Sequence, residues 1–258
     1  MKNIKRFRVL VMGRANAGKT TILQRVCNST DKPKIFDGRG NKVHSYGVET
    51  YVETEYFKRG YHDIKHELVF RSNLGFVFHD SCGFEAGSAE QFEQMKEFVV
   101  DRATAGSVNE RVHAIWFCIP MTESHRTVTA AELKFFNECD TKHVPVMVLL
   151  TKCDSLELEA IEELEDEGLE IEEAQEKIAE KERELLERWH AHIKHELDKC
   201  RYLPRGYVTL QKMHQESADC TVLIQSTANV MNEEGLQRLL ISTQQSNILL
   251  CVHYAVWK

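Results

Sequence analysis

Short apolar runs alternate along the chain with segments in which apolar residues recur at helical spacing. Runs typical of buried strands occupy residues 6–12, 113–120, 144–151 and 220–225. Helical spacing occupies residues 18–27, 89–102 and 128–138 and the chain from residue 233 onward. Continuous apolar strands that alternate with helices favour a mostly parallel sheet with helices on both faces, a three-layer α/β sandwich.

Two further apolar runs, residues 66–71 and 76–79, are separated by the turn-rich tetrapeptide Ser72-Asn73-Leu74-Gly75. This spacing predicts a β-hairpin that adds one antiparallel edge to the sheet. The pattern therefore predicts a single domain over residues 1–258 with about six strands.

The segment 155–201 interrupts the alternation, because strong helix formers fill it and the one predicted break is at Gly168. An apolar stripe follows one face of the predicted helix, at Ile171, Ala174, Ile178, Leu185, Trp189, Ile193 and Leu197. Residues 155–188 contain 15 acidic and 4 basic side chains. The segment is thus predicted to be an acidic helical insertion. It is either a surface helix that packs its stripe on the domain or a helix that binds a partner or a second copy.

The whole chain has a net charge of −7, and no stretch is basic enough for a general nucleic-acid binder. The eight cysteines include no C-x-x-C pair, which favours buried thiols in a reducing compartment over disulfides or a zinc site. The first apolar run is too short for a signal peptide, and no run approaches the ~20 residues that cross a bilayer. We therefore expect a cytoplasmic protein with no transmembrane segment and no nucleic-acid partner.

Residues 13–20, Gly-Arg-Ala-Asn-Ala-Gly-Lys-Thr, match the pattern G-x-x-x-x-G-K-[ST] between a predicted strand and a predicted helix. In this pattern the glycines let backbone N–H groups approach phosphate oxygens, and the helix N-terminus adds positive charge. Lys19 is predicted to reach the β- and γ-phosphates of a nucleotide, and the Thr20 hydroxyl to ligate Mg²⁺. The nucleotide-binding residues predicted here are Gly13, Ala15, Asn16, Ala17, Gly18, Lys19, Thr20 and Thr21.

The tetrapeptide Asp80-Ser81-Cys82-Gly83 closes a predicted strand about sixty residues beyond this pattern. Its position suits an aspartate on the magnesium side of a phosphate site, Asp80, and a glycine that senses the γ-phosphate, Gly83.

Two more motifs suggest recognition of a base. In Thr151-Lys152-Cys153-Asp154, the carboxylate of Asp154 can accept hydrogen bonds from guanine N1 and the 2-amino group, while the stem of Lys152 covers the base. Such a site rejects adenine, because the carboxylate would be left without its donors. After the predicted last strand, Thr227 and Ala228 are small residues where a backbone N–H can reach guanine O6.

These four elements, in this order, resemble a small GTPase-type G domain of the translation-factor-related P-loop class, over residues 6–240 without the insertion. The long segment before the last strand, and Thr151 where most members carry asparagine, resemble the septin, AIG1-like and Era-like branches; the chain is also similar to single-domain fungal G proteins. The resemblance implies binding of GTP and GDP with Mg²⁺, slow hydrolysis of GTP, and a role as a molecular switch for a protein effector. The catalytic residues it implies are Lys19, Thr20, Thr50 and Gly83. Thr50, which follows a polar loop rich in Gly, Asp and Asn, would be the threonine that closes over magnesium, and Thr54 is the alternative. Because Thr151 lacks the amide that would tie the base loop to the phosphate loop, a lower affinity is expected.

Two departures from the G-domain pattern bear on the mechanism. Phe84 stands where Ras-like proteins carry the glutamine that orients the attacking water. Asn16 resembles the asparagine that ligates K⁺ in cation-activated GTPases. An alternative function follows: a GTP-binding assembly module that dimerises or polymerises across the nucleotide face and hydrolyses little.

The apolar stretch 248–257 is predicted to pack on the sheet as a terminal helix, the alternative being a helix that touches a membrane.

Overall fold

The computed structural model describes residues 5–38, 40–43, 63–81, 89–122, 128–168 and 171–243. Within these ranges seven strands form one sheet, in the order β2-β3-β4-β1-β5-β6-β7. The strands are β1 Phe7–Gly13, β2 Lys34–Phe36, β3 Glu67–Phe70, β4 Asn73–Asp80, β5 Ala114–Pro120, β6 Val146–Thr151 and β7 Gly206–Thr209. The α-helices are α1 Lys19–Val26, α2 Ala89–Thr104, α3 Ala130–Glu138, α4 Leu156–Asp166, α5 Ile171–Leu197, α6 Thr221–Asn229 and α7 Glu234–Ser242.

Most of the sheet is parallel. β1 pairs in parallel with β4 and β5, and the parallel ladder continues through β6 to β7. β3 pairs antiparallel with both β2 and β4 and so makes an antiparallel edge. The predicted mostly parallel sheet with one antiparallel edge is confirmed. Because the parallel strands run the same way, the loops that follow β1, β4, β6 and β7 all leave the sheet at one end.

Helices cover both faces of the sheet. On one face Val9 and Phe78 pack among apolar side chains of α1, α6 and α7. On the other face Leu10 and Phe117 pack among side chains of α2, α3, α4 and α5. The alternation of Val9 and Leu10 between the two layers reflects the period-two geometry of a strand buried on both faces.

The predicted last strand is wrong. Residues 221–225 form the first half of α6, with Cys220 directly before it, and the last strand is β7, which lies earlier in the chain at the edge of the sheet. Leu223, Ile224, Thr227 and Ala228 are buried, which is a helical period of three and four residues. A short apolar run does not distinguish a buried helix from a buried strand, and the four-residue β7 is too short and too exposed to show an apolar pattern.

The hairpin is present, with its turn two residues earlier than predicted. β4 begins at Asn73, so the turn lies at residues 71–72 and the tetrapeptide 72–75 is mostly strand. The side-chain oxygen of Asn73 accepts from the N–H of Gly75, and its amide donates to the carbonyl of Thr243. β2, which no pattern predicted, raises the number of strands in the described ranges from six to seven.

The acidic insertion is a pair of helices. α4 and α5 pack against each other, and Gly168 lies between them with a φ of 82°, a left-handed conformation that suits glycine. In the apolar stripe, Leu185, Ile193 and Leu197 are fully buried under the sheet layer, and Ile178 is half-buried. Ion pairs such as Arg188–Glu163 join the outer faces of the two helices. The stripe therefore packs on the domain over its described second half; the side chains of Ile171 and Ala174 lie outside the described part.

No helix in the described ranges is both long enough and apolar enough to cross a bilayer. The predicted terminal helix at 248–257 lies outside the described residues.

Candidate functional site

The 13–20 loop joins β1 to α1, and its backbone at Gly13 and Gly18 has a conformation that favours glycine. Gly13 has a φ of 135°, and a Cβ there would lie 2.2 Å from the carbonyl oxygen of Cys118 on β5. Gly18, immediately before α1, has a φ of 80°, and Asn16 has a φ of 59°. Repeated left-handed residues in a short loop turn backbone N–H groups toward a common centre, which is a geometry that binds anions. The backbone conformation of the loop therefore suits an anion site at the N-terminus of a helix.

Lys19 is buried and folds back over this loop. Its Nζ donates to the carbonyl oxygen of Arg14 at 2.8 Å and to that of Gly13 at 3.1 Å. The N–H of Ala17 also donates to the Arg14 carbonyl, at 3.3 Å. The ammonium is therefore held at the loop by carbonyl oxygens that an arriving anion can replace.

Asp80, at the carboxyl end of β4, is a buried carboxyl group near Lys19. Its Oδ1 has no hydrogen-bond partner within the described part of the chain. Burial raises the pKa of Asp80 to about 6, and the nearby charge of Lys19 opposes the rise. A buried carboxylate without donors is a group that a cation stabilises. Asp80 and the half-buried Thr20 of α1 carry oxygen atoms of the kind that Mg²⁺ prefers as ligands.

His79, the neighbour of Asp80, faces the other layer of the molecule. Its ring packs on Phe98 of α2, and its Nδ1 lies 3.0 Å from the carbonyl oxygen of Ile64. Burial lowers the pKa of His79 to about 3, so the ring is neutral at physiological pH. The His79 ring therefore supplies no charge to the end of the sheet where Asp80 and the 13–20 loop lie.

The 151–155 loop follows β6 and is tied directly to the 13–20 loop. Thr151 is buried, and its Oγ1 donates to the carbonyl oxygen of Ala17 at 2.9 Å, across 134 residues of sequence. The expected loss of this tie is therefore wrong, because the threonine hydroxyl makes the bond that an asparagine amide was expected to provide. Lys152 has a φ of 55°, and a short 3₁₀ turn over Cys153–Ser155 follows.

Asp154 is half-buried in this turn, and a third loop holds it. Its Oδ1 accepts from the backbone N–H of Lys212 at 2.8 Å. Lys212 belongs to the 210–214 loop, which follows β7 and has a left-handed residue at position 212. Arg25 of α1 binds the same loop, because its guanidinium donates to the carbonyl oxygens of Met213 and His214, each at 2.9 Å.

The predicted contact at Thr227 and Ala228 is wrong in its placement. Both residues are fully buried within α6. The Thr227 hydroxyl donates to the carbonyl of Leu223 at 2.7 Å and accepts from Trp116 Nε1 at 3.1 Å. These residues fill the core, because the strand predicted before them is the start of their own helix. The 210–214 loop occupies the place beside Asp154 instead, and no motif marked it in the sequence.

The insertion also approaches this end of the molecule. Burial and the nearby carboxylates of Glu157 and Asp154 raise the pKa of Glu182 on α5, while Lys212 opposes the rise. The acidic helix pair thus contributes negative charge around the 151–155 loop.

Four predicted positions, Thr50, Thr54, Gly83 and Phe84, lie outside the described residues.

No family model matches the chain, and no curated protein matches it. Among solved structures it is similar to the septin GTPase domain from Chlamydomonas reinhardtii, with 21% sequence identity and a TM-score of 0.34. The match covers 58% of this chain and 54% of that chain, so this chain spans about half the length of that structure. A likeness of this size assigns neither a family nor an activity to the chain.

Proposed function

We propose that the chain binds guanine nucleotides with Mg²⁺ and hydrolyses GTP slowly, as a switch. One observation carries the proposal: the Lys19 loop, Asp80 and the 151–155 loop lie at the same end of the sheet. The bond between Thr151 and Ala17 joins two of these elements. A candidate anion site, a candidate magnesium carboxylate and a candidate base-side carboxylate would thus lie at one end of the sheet, where a nucleoside polyphosphate could contact all three.

The 13–20 loop is assigned to the phosphates. Its backbone N–H groups would hold the phosphate oxygens, and Lys19 would exchange its bonds to two carbonyls for bonds to the β- and γ-phosphates. Thr20 and Asp80 would hold Mg²⁺, which neutralises charge on the phosphates when it is bound. Ionised Asp80 is costly in its buried site, so binding of a cation there favours the ionised form.

The 151–155 loop is assigned to the base. Lys212 N–H already orients the Asp154 carboxylate, which has further lone pairs for guanine N1 and the 2-amino group. The stem of Lys152 would lie on the base. We assign the contact to guanine O6 to a backbone N–H of the 210–214 loop, in place of Thr227 and Ala228.

The roles of Thr50, Thr54 and Gly83 in the hydrolytic step are assigned from the sequence. Thr50, with Thr54 as its rival, would close over Mg²⁺, and Gly83 would sense the γ-phosphate. Phe84 cannot orient a water molecule, so turnover by the isolated chain is expected to be slow. Asn16, exposed on the 13–20 loop, is the position where K⁺ would supply charge to the reaction.

Binding of fluorescently labelled GDP in the presence of Mg²⁺ tests the assignment. The wild type is expected to bind it, and Lys19→Ala to weaken binding by at least about 100-fold, since charged hydrogen bonds worth about 1.5–3 kcal/mol each are lost. Lys177→Ala, which removes an exposed lysine on α5, is the matched control and should bind as the wild type does. Binding by Lys19→Ala with near-native affinity would contradict the phosphate assignment.

Competition between nucleotides tests the base assignment separately. GTP should displace the label far better than ATP, and Asp154→Asn should move preference from guanine toward xanthine, because an amide can donate where xanthine presents a carbonyl. An unchanged preference for guanine in Asp154→Asn would show that another group recognises the base.

A further inference from the structure

A buried ion pair joins the 13–20 loop to α3. Arg14, the second residue of the loop, donates from Nε to Glu132 Oε1 at 2.9 Å and from Nη2 to Oε2 at 3.0 Å. The two side chains are 1% and 0% exposed. Two parallel bonds between a guanidinium and a carboxylate fix both distance and orientation, which a single point-charge contact does not.

Glu132 is itself held rigidly at the start of α3. Its Oε2 also accepts from the backbone N–H of Thr129 at 2.7 Å, and the Thr129 hydroxyl accepts from the N–H of Glu132 at 3.3 Å. This reciprocal pair is a capping box, which closes the first turn of the helix. The carboxylate that receives Arg14 therefore has little freedom to move with the loop.

Arg14 in turn positions Lys19. The carbonyl oxygen of Arg14 accepts from Lys19 Nζ at 2.8 Å and from the N–H of Ala17 at 3.3 Å. Three residues further along, the carbonyl of Ala17 accepts from Thr151. The loop is thus anchored at positions 14 and 17 by side chains that come from α3 and from the end of β6.

Fold stability alone gives a weak reason for such a pair, because apolar residues of similar volume often stabilise a protein as well as a buried ion pair does. A fork between two planar groups differs from an apolar pair in the fixed geometry it imposes. We propose that Arg14 and Glu132 are positioning residues that hold the 13–20 loop in its anion-accepting shape before any nucleotide arrives. The meaning of that shape for phosphate binding rests on the function proposed above.

The central test replaces the pair with apolar residues in the double variant Arg14→Met, Glu132→Leu. No unpaired charge is left in the core, so its melting temperature should fall only by the small amount that loss of the Thr129 N–H bond to Glu132 causes. The backbone amide of Ala17, which donates to the Arg14 carbonyl, should nevertheless exchange with solvent at least about 10-fold faster in the nucleotide-free double variant, because local opening of the loop is easier. A wild-type exchange rate at this amide in a stable double variant would overturn the proposal.

Two milder variants provide the test if the double variant fails to fold. Arg14→Lys keeps the charge but removes the fork, and Glu132→Asp keeps the carboxylate but shortens its reach. Both should speed exchange in the loop, and wild-type rates in both would overturn the proposal. Thr129→Ala is the matched control, since it removes the hydroxyl half of the cap but keeps the Thr129 N–H bond to Glu132 and the fork to Arg14. It should leave exchange at the Ala17 amide unchanged; faster exchange there would mean that the cap, and not the fork, holds the loop.

Binding of labelled GDP links the pair to the proposed function. The folded double variant should bind with a Kd about 10-fold higher, mainly because the loop must be ordered on binding. Faster amide exchange at Ala17 together with an unchanged Kd for labelled GDP would show that the pair does not position the loop for nucleotide binding. A wild type that binds no guanine nucleotide would instead contradict the proposed function, while the exchange experiment would still decide whether the fork holds the loop.

Discussion

Replacing Thr151 by valine isolates one bond between two loops that the proposed function requires to stay together. The substitution is nearly isosteric and removes only the hydroxyl that donates to the Ala17 carbonyl at 2.9 Å. Thr151 is 2% exposed, so water cannot take the place of the lost donor without opening the structure.

The expected cost follows from this burial. Loss of a buried hydrogen bond reduces the free energy of unfolding by about 0.5–1.5 kcal/mol, and the cost of a polar group left without this partner raises the total to about 1–2 kcal/mol. Thr104→Val is the matched control: its hydroxyl donates to the Val100 carbonyl at 2.8 Å, but the residue is exposed on α2. Water can replace that bond, so the control should lose less than about 0.5 kcal/mol.

Urea unfolding of the nucleotide-free protein measures the difference. The midpoint should fall in Thr151→Val with an unchanged slope, and Thr151→Asn should recover part of the loss if its amide reaches the same carbonyl. Labelled GDP should bind Thr151→Val up to about 10-fold more weakly, since 1.4 kcal/mol corresponds to a factor of ten. Equal losses in Thr151→Val and Thr104→Val would refute the reasoning, because the tie between the loops would then contribute nothing.

Three further outcomes are expected. Because the folded-state pKa of Asp80 is raised to about 6, its protonated form favours folding, and stability from this group falls as pH rises from about 4 through 6. Asp80→Asn should therefore raise the urea midpoint of the nucleotide-free protein at pH 7.5 but not at pH 4; equal effects at both pH values would show that the carboxyl is not destabilised when ionised. Gly13→Ala should destabilise the fold by more than about 2 kcal/mol, because its Cβ would lie 2.2 Å from the Cys118 carbonyl oxygen, whereas Gly106→Ala, with open space around it, should not. GTP hydrolysis at high dilution should be on the order of 10⁻³ s⁻¹ or slower. Specific activity that rises with protein concentration would favour assembly across the nucleotide face, and a rate in K⁺ that exceeds the rate in Na⁺ only while Asn16 is present would favour a K⁺ site.

Some features of the fold were readable because their signals are local. The apolar runs of β1, β5 and β6 are nearly continuous, since these central strands are buried on both faces and almost every position along them is apolar; Arg8 of β1 is half-buried and Thr151 ends β6. The glycine pattern of the 13–20 loop is also local, because left-handed backbone restricts the residues allowed there.

Other features were misread because their determinants lie elsewhere in the chain. β7 is a four-residue edge strand whose identity depends on pairing with β6, and the apolar run of residues 220–225 became a helix through packing on the sheet. Thr227 therefore lies in the core and not at the predicted site, and the 210–214 loop lies beside Asp154.

The sequence by itself predicted the glycine-bearing turn of the 13–20 loop and the central buried strands β1, β5 and β6, because backbone conformation and apolar runs act over a few neighbouring residues. Tertiary structure alone decided what holds that loop in shape. Arg14 meets Glu132 across 118 residues, and Thr151 meets Ala17 across 134. Neither pair leaves a local pattern, since each partner is selected only by the distance and direction that the folded sheet imposes between them.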